Sequence, residues 1–211
     1  MRFLIVIQTL CFTRQRVIFC QSMKPFVLLI LSLFAFSCDN SAPQTAPKPV
    51  YFDVAGYVKS QIETLSARKP TVAKNAFINK QSNTQTTKAI DWAKELELFL
   101  QADINKPAFR NSYTIARPDS LTYKYALKPT EEKLTVRFLT VKLDSKTGKP
   151  VQIKALLKSE NRLYESERRL LIESGVDGKI QHYRVEGFQQ LTYFDRNEFR
   201  VEGQISPVPA P

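Results

Sequence analysis

The chain has 211 residues, 31 Lys and Arg against 20 Asp and Glu, a formal net charge of +11, one His, three Cys and six Gly. The six glycines form no G-x-G-x-x-G, G-x-x-x-x-G-K-[ST] or G-x-S-x-G pattern, which excludes the usual nucleotide-binding and nucleophile-elbow motifs. A single His182, no metal-spaced cysteine pair and no calcium-loop Asp spacing leave no recognisable metal site or catalytic motif, and no cofactor is expected.

The first forty residues give an address. Lys24 is followed by a twelve-residue apolar run, PFVLLILSLFAF (25–36), and then by small Ser37 and by Cys38. A positive start, a short apolar core and a small-residue exit make a secretory signal peptide. Twelve residues are too few for a spanning helix, which needs about 20. The stretch FAFSCDN at 34–40 resembles the lipobox of bacterial lipoprotein precursors. That resemblance implies cleavage between Ser37 and Cys38, and lipid, palmitate included, on Cys38 as the new N-terminus. The chain departs from the family pattern at Ala35, where Leu is usual, with bulky Phe36 after it. Organised this way, the whole chain is similar to the small envelope lipoproteins of bacteria.

Residues 1–22 hold Arg2, Arg14, Arg16, Cys11 and Cys20 ahead of a second methionine, Met23. Translation from Met23, with a signal peptide at 23–37, is the simpler account of a leader at 1–37; a longer leader from Met1 is the other. Losing residues 1–37 removes four basic residues and no acidic one, so the net charge falls from +11 to +7 and Cys38 is the one remaining cysteine. No intrachain disulfide can then form, and stability must come from the core.

Residues 39–50, DNSAPQTAPKPV, carry three prolines among Ala, Ser and Gln. Such a segment is an extended tether, reaching roughly 35 Å at ~3.1 Å per residue. In some lineages of the lipoprotein family an acidic residue after the lipidated cysteine, here Asp39, marks inner-membrane retention. Both the inner and the outer membrane remain open.

One α+β domain is expected at 51–206, with a short tail at 207–211. Asp53 is a good N-cap, and Val54, Tyr57, Val58, Ile62 and Leu65 recur at helical spacing, which predicts a helix over 53–67. TVAKNAFINKQ and NTQTTKAI predict a short hairpin. Asp91 caps WAKELELFLQADI, with Trp92, Leu96, Phe99 and Leu100 in one stripe, and Pro107 follows; this predicts a second helix over 92–104. From Tyr113 the period changes to two. SLTYKYAL, VQIKALLK, IQHYRVEGFQQLTYF and EFRVEGQI alternate, and RPDS, KPTEE, DSKTGKP, SEN, SGVDGK and DRN separate the runs as turns. The expectation is an antiparallel meander of about seven strands with the two helices packed on it, flat or curled into a half-barrel. LTVRFLTVKLD reads as apolar on both faces, with Val136 and Phe138 on one and Leu139 and Val141 on the other, so it predicts a strand covered on both sides. NRLYESERRLLIES fits helix or strand, and the turns around it favour strand.

Two groups of residues are candidate contacts. Residues 121–158 hold nine of the basic residues against three acidic ones. Lys124, Lys128, Lys146, Lys149, Lys154 and Lys158 could lie against anionic lipid or cell-wall polymer; the plainer reading is that they keep turns soluble and edges unpaired. Tyr123, Tyr125, Val136, Phe138, Val151 and Ile153 could enclose an apolar cleft. Glu165 and Glu167 stand about 7 Å apart on one strand face, two rises of ~3.4 Å; Arg168 and Arg169 beside them point to a salt-bridged surface. Nucleic acid is not expected, because export removes the chain from the cytoplasm. The sequence thus points to a lipid-anchored module at a membrane, inner or outer, facing the periplasm. It is non-enzymatic, binding or structural, and partnered by the bilayer and by anionic lipid, wall polymer or an envelope protein complex. The alternative is a carrier holding a lipid or other apolar ligand between sheet and helices, as in the periplasmic lipoprotein-sorting factors.

Overall fold

A computed structural model describes residues 49–206 of the chain. The leader, Cys38, most of the tether and the tail at 207–211 lie outside the described residues. Helix α1 (Val54–Arg68) begins where predicted: Asp53 accepts a hydrogen bond from the Gly56 N–H at 2.8 Å. It ends at Lys69, in the left-handed region at φ 45°, whose N–H donates to the Leu65 carbonyl. Val54, Val58, Gln61 and Leu65 form its buried stripe.

The predicted second helix breaks in two, α2 (Trp92–Glu95) and α3 (Glu97–Leu100), with Leu96 between them. Trp92, Leu96, Phe99, Ala102 and Ile104 are all buried. Their spacing tightens along the chain, and the i→i+3 bonds Phe99 N–H to Leu96 O and Ala102 N–H to Phe99 O follow it. A regular helix would have turned some of these side chains to water.

The strands are β1 (Val72–Ile78), β2 (Gln81–Thr87), β3 (Tyr113–Ala116), β4 (Thr122–Leu127), β5 (Val136–Leu143), β6 (Pro150–Glu160), β7 (Tyr164–Ser174), β8 (Ile180–Leu191) and β9 (Asn197–Ile205). They make one open antiparallel sheet in the order β2-β1-β9-β8-β7-β6-β5-β4-β3. The meander of seven is β3 to β9; the predicted hairpin β1–β2 joins it by pairing β1 with β9, Val72 opposite Ile205. The described residues therefore form nine strands, because the N-terminal hairpin extends the sheet. No helix among the described residues is long and apolar enough to cross a membrane.

One face of the sheet carries the core under α1, α2 and α3, with Tyr125, Leu139, Val141, Ile153, Ala155, Leu157, Leu170 and Ile172 from successive strands. The other face is polar. β5 is not covered on both sides. Val136 opposes Leu157 while Phe138 opposes Leu156, so Arg137 is the extra residue of a bulge. The bulge shifts the alternation by one, placing Val136, Leu139 and Val141 together on the core face and Phe138 on the polar one.

Candidate functional site

Core packing is uneven along the sheet. At the β3–β6 end Tyr51 sits edge-on to Tyr113 and Tyr125, with ring centroids 5.7 and 5.5 Å apart. The Tyr125 hydroxyl accepts from the Phe52 N–H at 3.1 Å, and the Tyr113 hydroxyl donates to the Val136 carbonyl at 2.9 Å. Burial raises the Tyr113 hydroxyl to a pKa of about 12 and shifts that of Tyr125 upward as well. This end is filled.

At the β7-β8-β9-β1 end the helical cover stops at α3 and leaves a groove of about 650 Å³. Val185, Val201, Phe199 and Ile78 lie along it from three neighbouring strands, and Leu98 lines it from the α3 side. The register explains the grouping: Val185 opposes Val201, which opposes Ala76, and Phe199 opposes Ile78. The volume falls in the range of ~300–1,000 Å³ typical of small-molecule sites.

The inner end of the groove is polar and self-satisfied. Lys74 points inward from β1 and pairs with Glu95 of α2 at 2.6 Å, the two side chains being 22% and 14% exposed. The Tyr183 hydroxyl donates to the other Glu95 oxygen at 2.8 Å. Burial and the adjacent carboxylate both raise the Tyr183 pKa, so the phenol stays protonated as a donor. Its ring packs edge-on against Trp92 at 6.3 Å and occupies the space over Gly203, where a Cβ would lie 2.3 Å from the ring. Gly203 is therefore required by close approach. Gly187, at the groove's floor strand, is required by a different contact: a Cβ there would lie 1.9 Å from the Glu167 carbonyl of β7.

The outer end carries Arg168, Gln189 and Asn197. Arg168 makes no ion pair among the described residues. The arrangement suits a molecule with an apolar body along Val185, Val201, Phe199 and Leu98 and an anionic or polar head at Arg168. Among the described residues no group of three or more His, Cys, Asp or Glu side chains could hold a metal ion.

The six residues proposed for an apolar cleft do not share one. Tyr125, Val136 and Ile153 are buried in the filled end of the core, with Tyr123 and Val151 half-buried at its edge. Phe138 lies on the opposite face, beside Leu156, Leu171 and Lys154 in a shallow depression of about 380 Å³. The cause is twofold: the bulge turns Phe138 over, and the Tyr51–Tyr113–Tyr125 cluster fills that half.

The six lysines do not form one surface either. Lys124 and Lys154 share the polar face, both facing Thr140 across the ladder. Lys146 and Lys149 sit in the β5–β6 turn, where the Lys149 ammonium donates to the Asp177 carbonyl. Lys128 follows β4 at the other end, and Lys158 pairs there with Glu160 and Glu165, each at 3.4 Å, which raises its pKa. On the same face Arg184–Glu202, Arg200–Glu186 and Arg169–Glu167 are paired, and His182 contacts Glu173 at 3.1 Å. Glu165 and Glu167 are thus both in ion pairs.

The groove was missed because its walls come from β1, β9 and α3, segments far apart in sequence. The one local signal was Lys74, a charge at a position whose neighbours Val72 and Ala76 share the core face. Comparison with protein-family models, with curated proteins and with solved structures finds no match to this chain.

Proposed function

We propose that this protein is a lipid-tethered module of the bacterial envelope. Acylated Cys38 holds it at a membrane, the Pro-rich tether spaces it from the bilayer, and the domain faces the periplasm. Its task is binding without catalysis, and the groove over β8 and β9 is where it binds. The ligand class is an apolar molecule with an anionic or polar head, such as an acyl lipid or fatty acid. The observation that carries this reading is an apolar groove left open on the core face while the rest of that face is filled. Exposed apolar surface of that kind marks a ligand or partner site. On this reading the ligand lies in the opposite half of the sheet from Tyr123, Val136 and Val151.

The test is titration of the purified protein with a fluorescent fatty acid. Saturable one-to-one binding is expected, with loss of at least tenfold in affinity in Val201→Trp, whose indole fills the groove. Equal binding by the wild type and Val201→Trp, or none by either, would reject the groove as the site. Anchoring is tested separately by palmitate labelling, with Cys38→Ala expected to abolish it.

A further inference from the structure

Two neighbouring hairpin tips carry apolar side chains that the core does not use. In the β6–β7 turn Leu163 is 68% exposed. Leu191 at the end of β8 is 51% exposed, and Tyr193 and Phe194 in the β8–β9 loop are 98% and 67% exposed. The tips are tied together: the Thr192 N–H donates to the Leu163 carbonyl and the Thr192 hydroxyl to the Arg162 carbonyl, each at 2.9 Å. They present their four apolar side chains as one unit.

The backbone of the second tip is unusual for its residues. Phe194 N–H bonds the Leu191 carbonyl at 3.0 Å, closing a four-residue turn whose third residue, Tyr193, has φ 74°. That position favours Gly or Asn, and a bulky residue adopts it at a cost. An aromatic ring held there, fully in water, is strain and exposed apolar surface that the fold does not explain. Two arginines flank the tips: Arg162 makes no ion pair among the described residues, and Arg196 stacks on Phe188 at 3.9 Å, with Asp195 the acidic residue of the loop.

We infer that the paired tips insert into the interface of an anionic phospholipid bilayer. Tyr, Phe and Leu flanked by Arg is the composition of side chains that sit at headgroup depth. Four side chains on two convex tips fall short of the ~800 Å² a side, from 20–30 residues, that a stable protein interface takes. The bilayer is within reach, since the tether of residues 39–50 extends roughly 35 Å. This last point rests on the lipidation of Cys38; the exposure and the turn geometry do not. Gln189 and Asn197, opposed at the outer end of the groove, lie immediately behind the β8–β9 tip. Tip insertion therefore places the groove mouth beside the headgroups, where a lipid could enter it.

The mature lipidated protein tests this in vesicles of phosphatidylcholine and phosphatidylglycerol. Acylated Cys38 leaves an introduced thiol as the sole labelling site, so an environment-sensitive dye goes on Asp195→Cys or, at the far end of the sheet, on Val176→Cys. The dye at 195 is expected to shift to an apolar environment and to be quenched by nitroxide-bearing lipids, while that at 176 remains in water. Adding Tyr193→Ser and Phe194→Ser returns the 195 dye to water. A 195 dye that stays in water on protein that floats with the vesicles overturns the inference, as does shielding that appears only with an added protein partner. If the protein does not float, the Cys38 reading fails, and the unanchored protein then tests the tips alone. About tenfold weaker vesicle partitioning of Tyr193→Ser/Phe194→Ser is expected, and equal partitioning overturns the inference.

Discussion

The two halves of the core face solve the same problem differently. Over β3 to β6 the Tyr51–Tyr113–Tyr125 cluster closes the sheet, with Leu139 and Ile153 almost fully buried. At the β7–β8 turn α1 still covers the sheet, with the Tyr57 hydroxyl bonded to Ser174 and Gln61 accepting from the Ile180 N–H; over the other end of β8, β9 and β1, two single helical turns replace a long helix and leave the sheet partly bare. The polar network of Lys74, Glu95 and Tyr183 stands at the border between the halves. The second half leaves apolar surface open beside a packed first half, and that groove is the binding site we propose.

Substitutions can sharpen that contrast. Leu139→Ala is expected to have the largest effect, about 2–5 kcal/mol of lost stability from a cavity in a filled core. Val201→Ala, lining the groove, should cost under ~1.5 kcal/mol, because water already reaches that space. Urea unfolding of the two variants measures the difference, and equal losses would erase the distinction between the halves.

Gly203→Val comes next. Its side chain needs the space that the Tyr183 ring fills, and a loss of about 1–3 kcal/mol from overpacking is expected. Near-ultraviolet circular dichroism should report the displaced ring, and an unchanged spectrum would mean that the close approach does not matter.

Glu95→Gln removes the charge that Lys74 and the Tyr183 hydroxyl share. Both partners are mostly screened from water, so about 1–3 kcal/mol is expected. A double-mutant cycle with Lys74→Met should recover part of the loss, and strict additivity would show that the pair is uncoupled.

A smaller, pH-dependent effect distinguishes the tyrosines. Tyr57 and Tyr113 are raised from 10.0 to about 12, chiefly by burial. Folding therefore favours their neutral form. The stability this contributes is complete below pH 10.0 and is lost as pH rises from there through about 12. Absorbance at alkaline pH should show Tyr57 and Tyr113 ionising only as the protein unfolds. Ionisation of these two near pH 10 in folded protein would contradict their packing.

Much of the architecture was legible in the residues. Asp53 and the Val54–Leu65 stripe define α1, and the strand alternation from Tyr113 onward with its turn residues defines the meander. Two local features hid. Arg137 looks like an ordinary alternating residue, but as a bulge it inverts Phe138, and nothing in VRF marks it. LTYF reads as the end of a strand, whereas the chain turns at Leu191 because Thr192 bonds the neighbouring tip. The groove was hidden for a different reason. It depends on the pairing of Val72 with Ile205, more than a hundred residues apart, and on α3 stopping at Leu100.

The central claim is that an apolar ligand lies along Val185, Val201 and Leu98. Photo-crosslinking with a diazirine fatty acid, mapped by peptide mass spectrometry, addresses it directly. Adducts confined to the segments around Leu98, Val185 and Phe199–Val201, and competed away by unlabelled fatty acid, are the predicted result. Adducts on Tyr123, Phe138 and Val151 instead, or a uniform scatter that competitor does not reduce, would contradict it.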